Sequence, residues 1–213
     1  MPGEENKRYQ NFLKELTEHF EDYKSPDIVE SAGDRIKRIR ETKGISLEEL
    51  SNKTGFPIEL LSQIEDRTVF PQIGTIIKLS KSLETVFGTL TAEEGEGAFS
   101  ILRHNERKVV SRSASQEGHN YTYISLASDV KNRHMESFIV KLEPESPNQK
   151  LSTHDGEEFL FVLDGEMKVR LGEKVEVLTT GDTIYYLSKI PHLVTSNRNG
   201  PTFILAVIYT GSE

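Results

Sequence analysis

Glu158 and His154 are the first residues whose types and spacing suggest chemistry. They stand in the run KLSTHDGEEFLFVLDGE, where a polar loop leads into an apolar strand. Strand side chains alternate in direction, so Glu158 should share one face with Leu160 and Val162, and the residues between them make the opposite face apolar too. A carboxylate at the start of a strand buried on both faces is costly unless a metal, a cation or a hydrogen-bond donor meets it. His154 is the nearest candidate partner in sequence.

The bulk composition limits which kinds of site this chain can build. It has 213 residues, no cysteine and a net charge of −8. Without cysteine, disulfides, thiolate nucleophiles and thiolate metal sites are excluded, and His, Asp and Glu are left as the strong ligands. No apolar run approaches the ~20 residues that span a bilayer, and no secretory signal opens the sequence, so we expect a cytoplasmic protein without membrane partners.

The chain begins with a pattern of its own before any domain is evident. Residues 5 to 24 are predicted to form an amphipathic helix, because large apolar side chains recur at steps of three and four residues. This N-terminal extension, residues 1 to 30, should pack either on a sister subunit or on the next domain. The stripe consists of Tyr9, Phe12, Leu13, Leu16, Phe20 and Tyr23.

Residues 31 to 90 carry the signals of several short helices. Ser46 is a good N-cap, and Glu49 three residues later completes a capping box. Gly55 allows a tight turn, and Pro57 opens the following helix at a position where its missing amide hydrogen costs nothing. A helix, a turn glycine and a second helix in this order have helix-turn-helix spacing. Nine Lys/Arg and eight Asp/Glu leave this segment nearly neutral.

Over about 55 residues this segment resembles the phage-repressor-like helix-turn-helix domain, through GDRIKRIRETKGISLEELSNKTGF and LLSQIEDR. The resemblance implies binding to double-stranded DNA, with 57 to 65 as the recognition helix and Glu65 on its exposed side. Ser62 and Gln63 can read base edges, whereas Glu59 opposes close approach to phosphates. A helical domain kept only as a scaffold or dimerisation platform is the alternative. The implied DNA-binding residues are Arg38, Ser46, Lys53, Ile58, Glu59, Ser62, Gln63 and Arg67.

The rest of the chain is predicted to be all-β, so the fold class is multidomain, α followed by all-β. A linker rich in glycine and glutamate, residues 91 to 98, precedes about nine short strands between residues 99 and 213, which indicate a sandwich or small barrel. Asp164-Gly165 and Gly181-Asp182 are predicted hairpin turns. The predicted strands are 99–103, 121–126, 137–142, 158–163, 166–171, 175–178, 183–187, 192–195 and 202–209.

This second half resembles the cupin barrels, a jelly-roll family, through STHDGEEFLFVLDGE and GDTIYYLSKIPHLVTSN. The resemblance implies a divalent metal site, with Fe2+, Zn2+, Ni2+ or Mn2+ held by His154, Glu158 and His192 as a facial triad. The alternative is that the histidines are hydrogen-bonded residues at the barrel rim and that Glu158 accepts backbone hydrogen bonds. The full metal-binding pattern has another histidine where this chain has Ser152. Tyr121 and Tyr123 share a strand face, and they either point into the barrel, where the phenols could orient a ligand, or belong to the core with their hydroxyls at the rim. The expected ligand pocket comprises Tyr121, Tyr123, Ser152 and Asn197.

Together the two halves resemble the family of helix-turn-helix regulators that carry a cupin domain. This implies a transcription regulator, homodimeric or a higher homo-oligomer, whose barrel senses a small molecule. The alternative is an enzyme: a smaller branch, similar to hydroxypropylphosphonate epoxidase, has the same layout and uses iron(II) without requiring its helical domain to bind DNA. Its pattern also has serine at Ser152 and a Tyr-x-Tyr strand like that of Tyr121 and Tyr123.

Overall fold

A computed structural model describes residues 7, 11–12, 14–15, 31–69, 71–85, 87–91, 97–107, 109–114, 120–127, 130, 133–147, 149 and 151–209. Most of the predicted helix 5–24 and most of the linker 91–98 lie outside these residues. Within the described ranges a helical part is followed by two antiparallel sheets, which confirms the predicted fold class. None of the helices found in those ranges has the length and apolar character that crossing a membrane requires.

The helical part contains five helices between residues 31 and 91, and the described residues 7, 11–12 and 14–15 are also helical. Ser31 and Ser46 begin the first two with the predicted kind of capping box, in which each serine accepts from a backbone amide and an acidic side chain accepts in return. Gly55 ends the second helix with φ 68°, a left-handed conformation that suits glycine. The helices are α1 (Ala32–Thr42), α2 (Leu47–Thr54), α3 (Ile58–Glu65), α4 (Ile73–Ser82) and α5 (Phe87–Thr91).

A buried ion pair crosses the core of the helical part. Arg40 of α1 makes two hydrogen bonds to the Glu65 carboxylate of α3, at 2.7 and 2.8 Å, and a third to the carbonyl of Ile45 at 2.9 Å. Glu65 is therefore buried, whereas the sequence analysis placed it on the exposed side of the recognition helix. That expectation was wrong because helical periodicity cannot identify a long-range partner for a charged residue.

The second half contains nine strands within the described residues, arranged in two sheets. A six-stranded sheet has the order β1-β2-β3-β9-β4-β7, and a three-stranded sheet has the order β6-β5-β8. Consecutive strands often lie in different sheets, as in a jelly-roll. The strands are β1 (Val109–Ala114), β2 (Asn120–Ser125), β3 (Met135–Leu142), β4 (Glu157–Asp164), β5 (Glu166–Leu171), β6 (Lys174–Thr179), β7 (Thr183–Leu187), β8 (His192–Ser196) and β9 (Thr202–Tyr209).

The two predicted hairpin turns are corners between sheets. Gly165 separates β4 from β5, but β4 pairs with β7 and β9, whereas β5 pairs with β6 and β8. Gly181 likewise stands between β6 and β7, which belong to different sheets. Both glycines have positive φ, 99° and 96°. A glycine-aspartate pair therefore correctly indicated a change of direction, but it could not specify which strands pair.

Two strand predictions also required correction. Phe99–Arg103 forms no strand; Phe99 and Ile101 are exposed, and the first long strand is instead β1, whose sequence VVSRSA is too polar to attract a strand prediction. In β4 the predicted alternation is correct, since Glu158 lies on the buried face. The opposite face is not buried, because Phe159 is 36% exposed.

The helical part contacts the barrel through α4 and α5. The N-terminal end of α4 lies against the loop that carries His154, and Lys81 near its C-terminal end pairs with Asp155 at 3.0 Å. Phe87 of α5 packs edge-on against Phe138 of β3, with ring centroids 6.2 Å apart. These contacts place one end of a helix from the helical part directly over the barrel interior.

Candidate metal centre and helix-turn-helix surface

Backbone hydrogen bonds position the three predicted ligands. The main chains of Ser152 and His192 exchange two hydrogen bonds of 2.7 and 2.9 Å, which hold the loop beside the start of β8. The amide of His154 donates to the carbonyl of Ser188 at 3.1 Å. Glu158 is the second residue of β4 and faces inward by strand alternation. Loop and strands therefore bring His192 beside His154 and Glu158, although it lies more than thirty residues after them in sequence.

The ligand atoms of His154, Glu158 and His192 lie within 4.8 Å of one another. Nε2 of His154 is 2.9 Å from Oε1 of Glu158, and Nε2 of His192 is 3.2 Å from the same oxygen. All three residues are buried, with exposed fractions of 5 to 7%. Two imidazole nitrogens and a carboxylate oxygen thus converge on one point.

The hydrogen bonds made by the two Nδ1 atoms determine which tautomer each neutral imidazole adopts, and therefore whether its Nε2 atom has a lone pair. Nδ1 of His154 is 3.0 Å from the carbonyl of Asp155, and Nδ1 of His192 is 2.8 Å from the carbonyl of Ile190. Carbonyl oxygens accept only, so both Nδ1 atoms carry the hydrogen and both Nε2 atoms present lone pairs in the neutral tautomer. Two lone pairs facing a carboxylate require a cation between them or a proton on the nitrogen. The donors therefore fit a divalent ion, and backbone carbonyls on the far nitrogens are typical support for ligating histidines.

Second partners orient the Glu158 carboxylate. The Tyr186 hydroxyl donates to Oε2 at 2.7 Å, and the Ser188 hydroxyl donates to Oε1 at 3.2 Å. Burial alone would raise the pKa of Glu158, but hydrogen bonds and positive charge from His154 and His192 together hold this pKa well below its ordinary value. Burial lowers the pKa of His192, but its contacts with Glu158 outweigh burial and raise it. The carboxylate is thus ionised, and the imidazoles that face it either carry protons on Nε2 or, when neutral, leave room for a cation between the three donors.

A cavity of about 60 Å³ opens beside these three residues. Tyr121, Tyr123 and Ser152, which the sequence analysis assigned to a ligand pocket, line it. The Tyr121 hydroxyl donates to the carbonyl of Val194 at 2.6 Å. Burial raises the pKa of both tyrosines far above the ordinary value, so both are neutral phenols. The cavity holds only a few water-sized ligands, since one water needs about 10–15 Å³ of such volume.

Asn197, the fourth residue predicted for the pocket, lies elsewhere. Its side chain is exposed and donates to Glu166 at 3.2 Å, and it does not line the cavity. The motif position alone suggested a pocket role, but Asn197 follows the end of β8, where the chain turns back toward β9. It is therefore corrected to a turn residue, and its contact with Glu166 fixes that turn beside β5.

The first predicted DNA-binding residues lie on α1 and α2. Arg38 is exposed on α1, and Lys53 is exposed in the last turn of α2. Ser46 is the N-cap of α2, where its hydroxyl accepts from the amide of Glu49 at 3.0 Å. These cationic and polar groups are accessible, and Ser46 also has a local capping role.

The remaining predicted DNA-binding residues follow α3. Ile58, Glu59 and Gln63 are exposed, whereas the hydroxyl of half-buried Ser62 donates to Asp66 at 3.3 Å. Arg67 adopts φ 61° just after α3 and pairs with Asp34 at 2.8 Å, which ties it to the start of α1. Gln63 is thus an accessible amide on this helix, while Arg67 already has an anionic partner within the chain.

Four residues of the site were not predicted from the sequence. Tyr186 and Ser188 contact Glu158 from β7 and the loop after it, and both belong to the run that suggested the cupin resemblance. Alternation along TIYYL could have placed Tyr186 inward. Gln72 and Gly74 line the cavity from the helical part. No sequence signal identifies them, because a contact between the two halves of the chain leaves no periodicity.

Comparisons with known proteins agree with this architecture. Residues 138–208 match the cupin domain family. The fold is similar to that of an HTH_3 family transcriptional regulator from Vibrio cholerae, with 22% identity, coverage of 85% of this chain and 96% of that chain, and a TM-score of 0.61. It is also similar to hydroxypropylphosphonic acid epoxidase from S. wedmorenis, with 22% identity, coverage of 84% and 96%, and a TM-score of 0.45. A search of curated proteins gave no match. Residues 138–208 are therefore similar to the cupin domain family, and the fold of the whole chain, a helical part followed by a barrel, is similar to that of the HTH_3 family protein.

Proposed function

We propose that this protein is a DNA-binding transcription regulator whose barrel binds a divalent metal ion and senses a small ligand. The observation that carries the proposal is the orientation of the helical part. It contacts the barrel through α4 and α5, while Ile58, Glu59 and Gln63 at the outer side of α3 are exposed. In this arrangement one helix reaches the buried site and another is available to DNA. Residues 31 to 90 and 99 to 213 are the proposed functional units.

The partner of α3 is the major groove of double-stranded DNA. Gln63 can bond to adenine in a bidentate manner, and Lys53 and Arg38 supply cationic groups for phosphates. Because α3 has only eight residues, one copy reads few base pairs, so the proposed active form is a homodimer or a higher homo-oligomer that binds paired half-sites. The small charge surplus of the helical part predicts modest nonspecific affinity.

The proposed metal ligands are His154, Glu158 and His192. Imidazole and carboxylate donors suit Fe2+, Mn2+, Ni2+ or Zn2+, and three protein ligands leave coordination positions open on the cavity side. A bound ion would supply Lewis acidity and an attachment point for a ligand of the barrel. Tyr186 and Ser188 hold the carboxylate in place for this role.

The deciding experiment is selection of DNA from fragments of the source genome, followed by gel retardation with the full chain. We expect retention of a fragment from the protein's own upstream region, and an affinity that falls steeply with salt. The Gln63→Ala variant should lose the preference for that fragment. If no genomic fragment is retarded, the regulator proposal is wrong.

The alternative function is a mononuclear iron(II) oxygenase or epoxidase in which the helical part is a scaffold. The specific observation in its favour is that Tyr121 and Tyr123 line the cavity beside a donor set that also serves oxygen-activating iron enzymes. In that case the two phenols would bind and orient the substrate. Oxygen consumption by the iron-loaded protein, lost in His192→Ala, would favour this alternative. A regulator would bind iron without consuming oxygen.

A further inference from the structure

We propose that the start of α4, Gln72 to Gly74, is one wall of the ligand-binding site, and that α4 is the element that detects the ligand of the metal. This inference rests on the proposed metal and sensing function of the barrel. It assigns ligand-binding residues to the helical part, where the sequence suggested DNA contacts or a scaffold role. The site is then composite, with ligands from the barrel and one wall from the helix-turn-helix unit.

The closeness of α4 to the metal ligands is the first argument. A Cβ atom added at Gly74 would lie 2.6 Å from Oγ of Ser152 and 2.8 Å from Cδ2 of His154. Both distances are shorter than carbon contacts in proteins allow, so only glycine fits here without movement. The backbone of α4 is therefore in direct contact with the imidazole of a predicted metal ligand.

This contact also accounts for Ser152. In the cupin pattern a histidine stands at this position, but here the hydroxyl of Ser152 already lies against Gly74. An imidazole is much larger than a hydroxymethyl group, and it would need the space that α4 occupies. The helix thus occupies the space of a fourth ligand side chain, so a metal held here would have His154, Glu158 and His192 as its protein ligands and would lie close to α4.

The size of the cavity is the second argument. Its volume of about 60 Å³ has room for roughly four to six water-sized groups, at about 10–15 Å³ for each. Water or a small anion fits on the metal while α4 is in place, but a metabolite of ordinary size does not. Binding of such a ligand therefore requires one wall of the cavity to move.

The wall formed by α4 is the one best able to move. The opposite walls are side chains of paired strands, such as Val140 and Ile204, whose backbones are held by sheet hydrogen bonds. The side of α4 instead contacts the barrel through side chains: the buried Ile73 in the shared apolar cluster, and the exposed Lys81–Asp155 pair, a kind of contact that contributes at most about 1 kcal/mol. Phe87 of α5, packed on Phe138, provides a fixed point about which α4 can turn.

Movement of α4 has a direct route to the DNA-binding helices. Because α4 packs against α2, and α2 against α3, within one apolar core, a displaced α4 changes the position or the stability of the recognition helix. Close-packed elements transmit displacement because their side chains cannot be compressed. Binding of a large ligand to the metal would thereby change the position or the stability of α3.

The test measures the distance between the two halves, with spin labels on two introduced cysteines. The chain has no cysteine of its own, so Asn52→Cys on α2 and Glu173→Cys on the turn after β5 are the only labelled sites, and both positions are exposed. The labelled protein is diluted into unlabelled protein to suppress contributions between subunits. The probes are Co2+ alone and Co2+ with benzohydroxamate, a chelator with a phenyl ring whose binding changes the visible spectrum of cobalt.

We expect Co2+ alone to leave the label distance unchanged and Co2+ with benzohydroxamate to lengthen it by several ångströms. The Gly74→Ala variant should lengthen it without any metal. Gly200→Ala is the matched control, because a Cβ there meets nothing within 4 Å, and it should leave the distance unchanged. Thermal unfolding verifies that both variants are folded. An unchanged distance in folded Gly74→Ala, or with benzohydroxamate bound to cobalt, would overturn the inference.

A second measurement uses Lys81→Cys together with Asp155→Cys, joined by a short bifunctional thiol reagent. Fastening α4 in this way should leave Co2+ affinity unchanged and weaken benzohydroxamate binding at least tenfold relative to the unjoined protein. Equal affinity in both forms contradicts the inference. None of these measurements involves DNA, so failure of DNA binding and failure of the α4 mechanism are separate results. The Gly74→Ala distance requires no metal and tests the contact even if Co2+ does not bind.

Discussion

The Arg40 guanidinium holds the Glu65 carboxylate with two hydrogen bonds, and this buried pair joins the first helix to the proposed recognition helix. Glu65→Ala leaves a buried cation without its partner, so we expect a loss of about 3–5 kcal/mol in the free energy of unfolding. Urea denaturation monitored by circular dichroism measures it. Replacing both residues, with Arg40→Met and Glu65→Leu, should cost less than the single change. A single variant as stable as the wild type would mean that the pair does not hold α3 in place.

Metal content is the next expectation. We expect about one divalent ion per chain in protein purified without chelators, and loss of that ion in His154→Ala, His192→Ala or Glu158→Ala, because each variant removes one of three converging donors. Elemental analysis of the purified chains measures this. His134→Ala, at an exposed position away from the cluster, is the matched control and should retain the metal. Wild-type protein that binds no divalent ion in metal titration would contradict the prediction.

Two substitutions should separate phosphate contact from base contact. Lys53→Ala removes an exposed cation from α2, so it should weaken binding to all DNA sequences alike and reduce the slope of log affinity against log salt by about one. Gln63→Ala should cost about 1–3 kcal/mol with the preferred fragment only. Fluorescence anisotropy with specific and scrambled duplexes measures both. If the two variants have the same sequence dependence, the assigned docking of α3 is wrong.

Glu136 should make the stability of the protein depend on pH. Burial raises the pKa of this carboxyl to about 7, despite hydrogen bonding and opposite charge from Arg133. Between the ordinary value of 4.5 and about 7 the folded chain holds a proton that the unfolded chain releases. The free energy of unfolding should therefore fall as pH rises through this window, by up to roughly 3 kcal/mol. Below pH 4.5 this cost is absent.

Glu136→Gln should flatten that profile, because the amide retains an acceptor for Arg133 and does not titrate. Urea denaturation at pH 5, 6, 7 and 8, expressed as the difference between wild type and variant, isolates the contribution of this residue. A difference that stays constant over the four pH values would mean that Glu136 is ionised throughout. Asp182→Asn, at an exposed turn, is the control for introducing an amide.

The architecture and the inward position of Glu158 followed from local signals, whereas the full set of three ligands came from the resemblance to cupins. The capping box at Ser46 and the alternation that turns Glu158 inward depend on neighbouring residues, and such patterns are visible in a sequence. Strand pairing was less predictable. At Gly165 the turn chemistry was correct, but the strands on either side belong to different sheets because pairing depends on the closure of the whole barrel.

The errors at the site have the same origin. Glu65 was expected to be exposed because its partner Arg40 is 25 residues away. Asn197 was expected in the pocket because of its motif position, but it bonds to Glu166 in a turn. Gly74 was not considered, because its importance arises from a contact with Ser152 across the two halves of the chain. Long-range contacts of this kind depend on the assembled fold and have no local pattern.

The contact of Gly74 with Ser152 has an evolutionary consequence. The two positions share one space, so they cannot enlarge independently during divergence. Homologues that recover a histidine at the position of Ser152 should hold their metal with four ligands and should have lost the close seating of the helix. Homologues that retain a small residue there should retain glycine at the position of Gly74. If these two positions covary, the homologues would fall into two groups. One group would bind the metal tightly with four ligands, and the other would use α4 to sense a ligand bound to the metal.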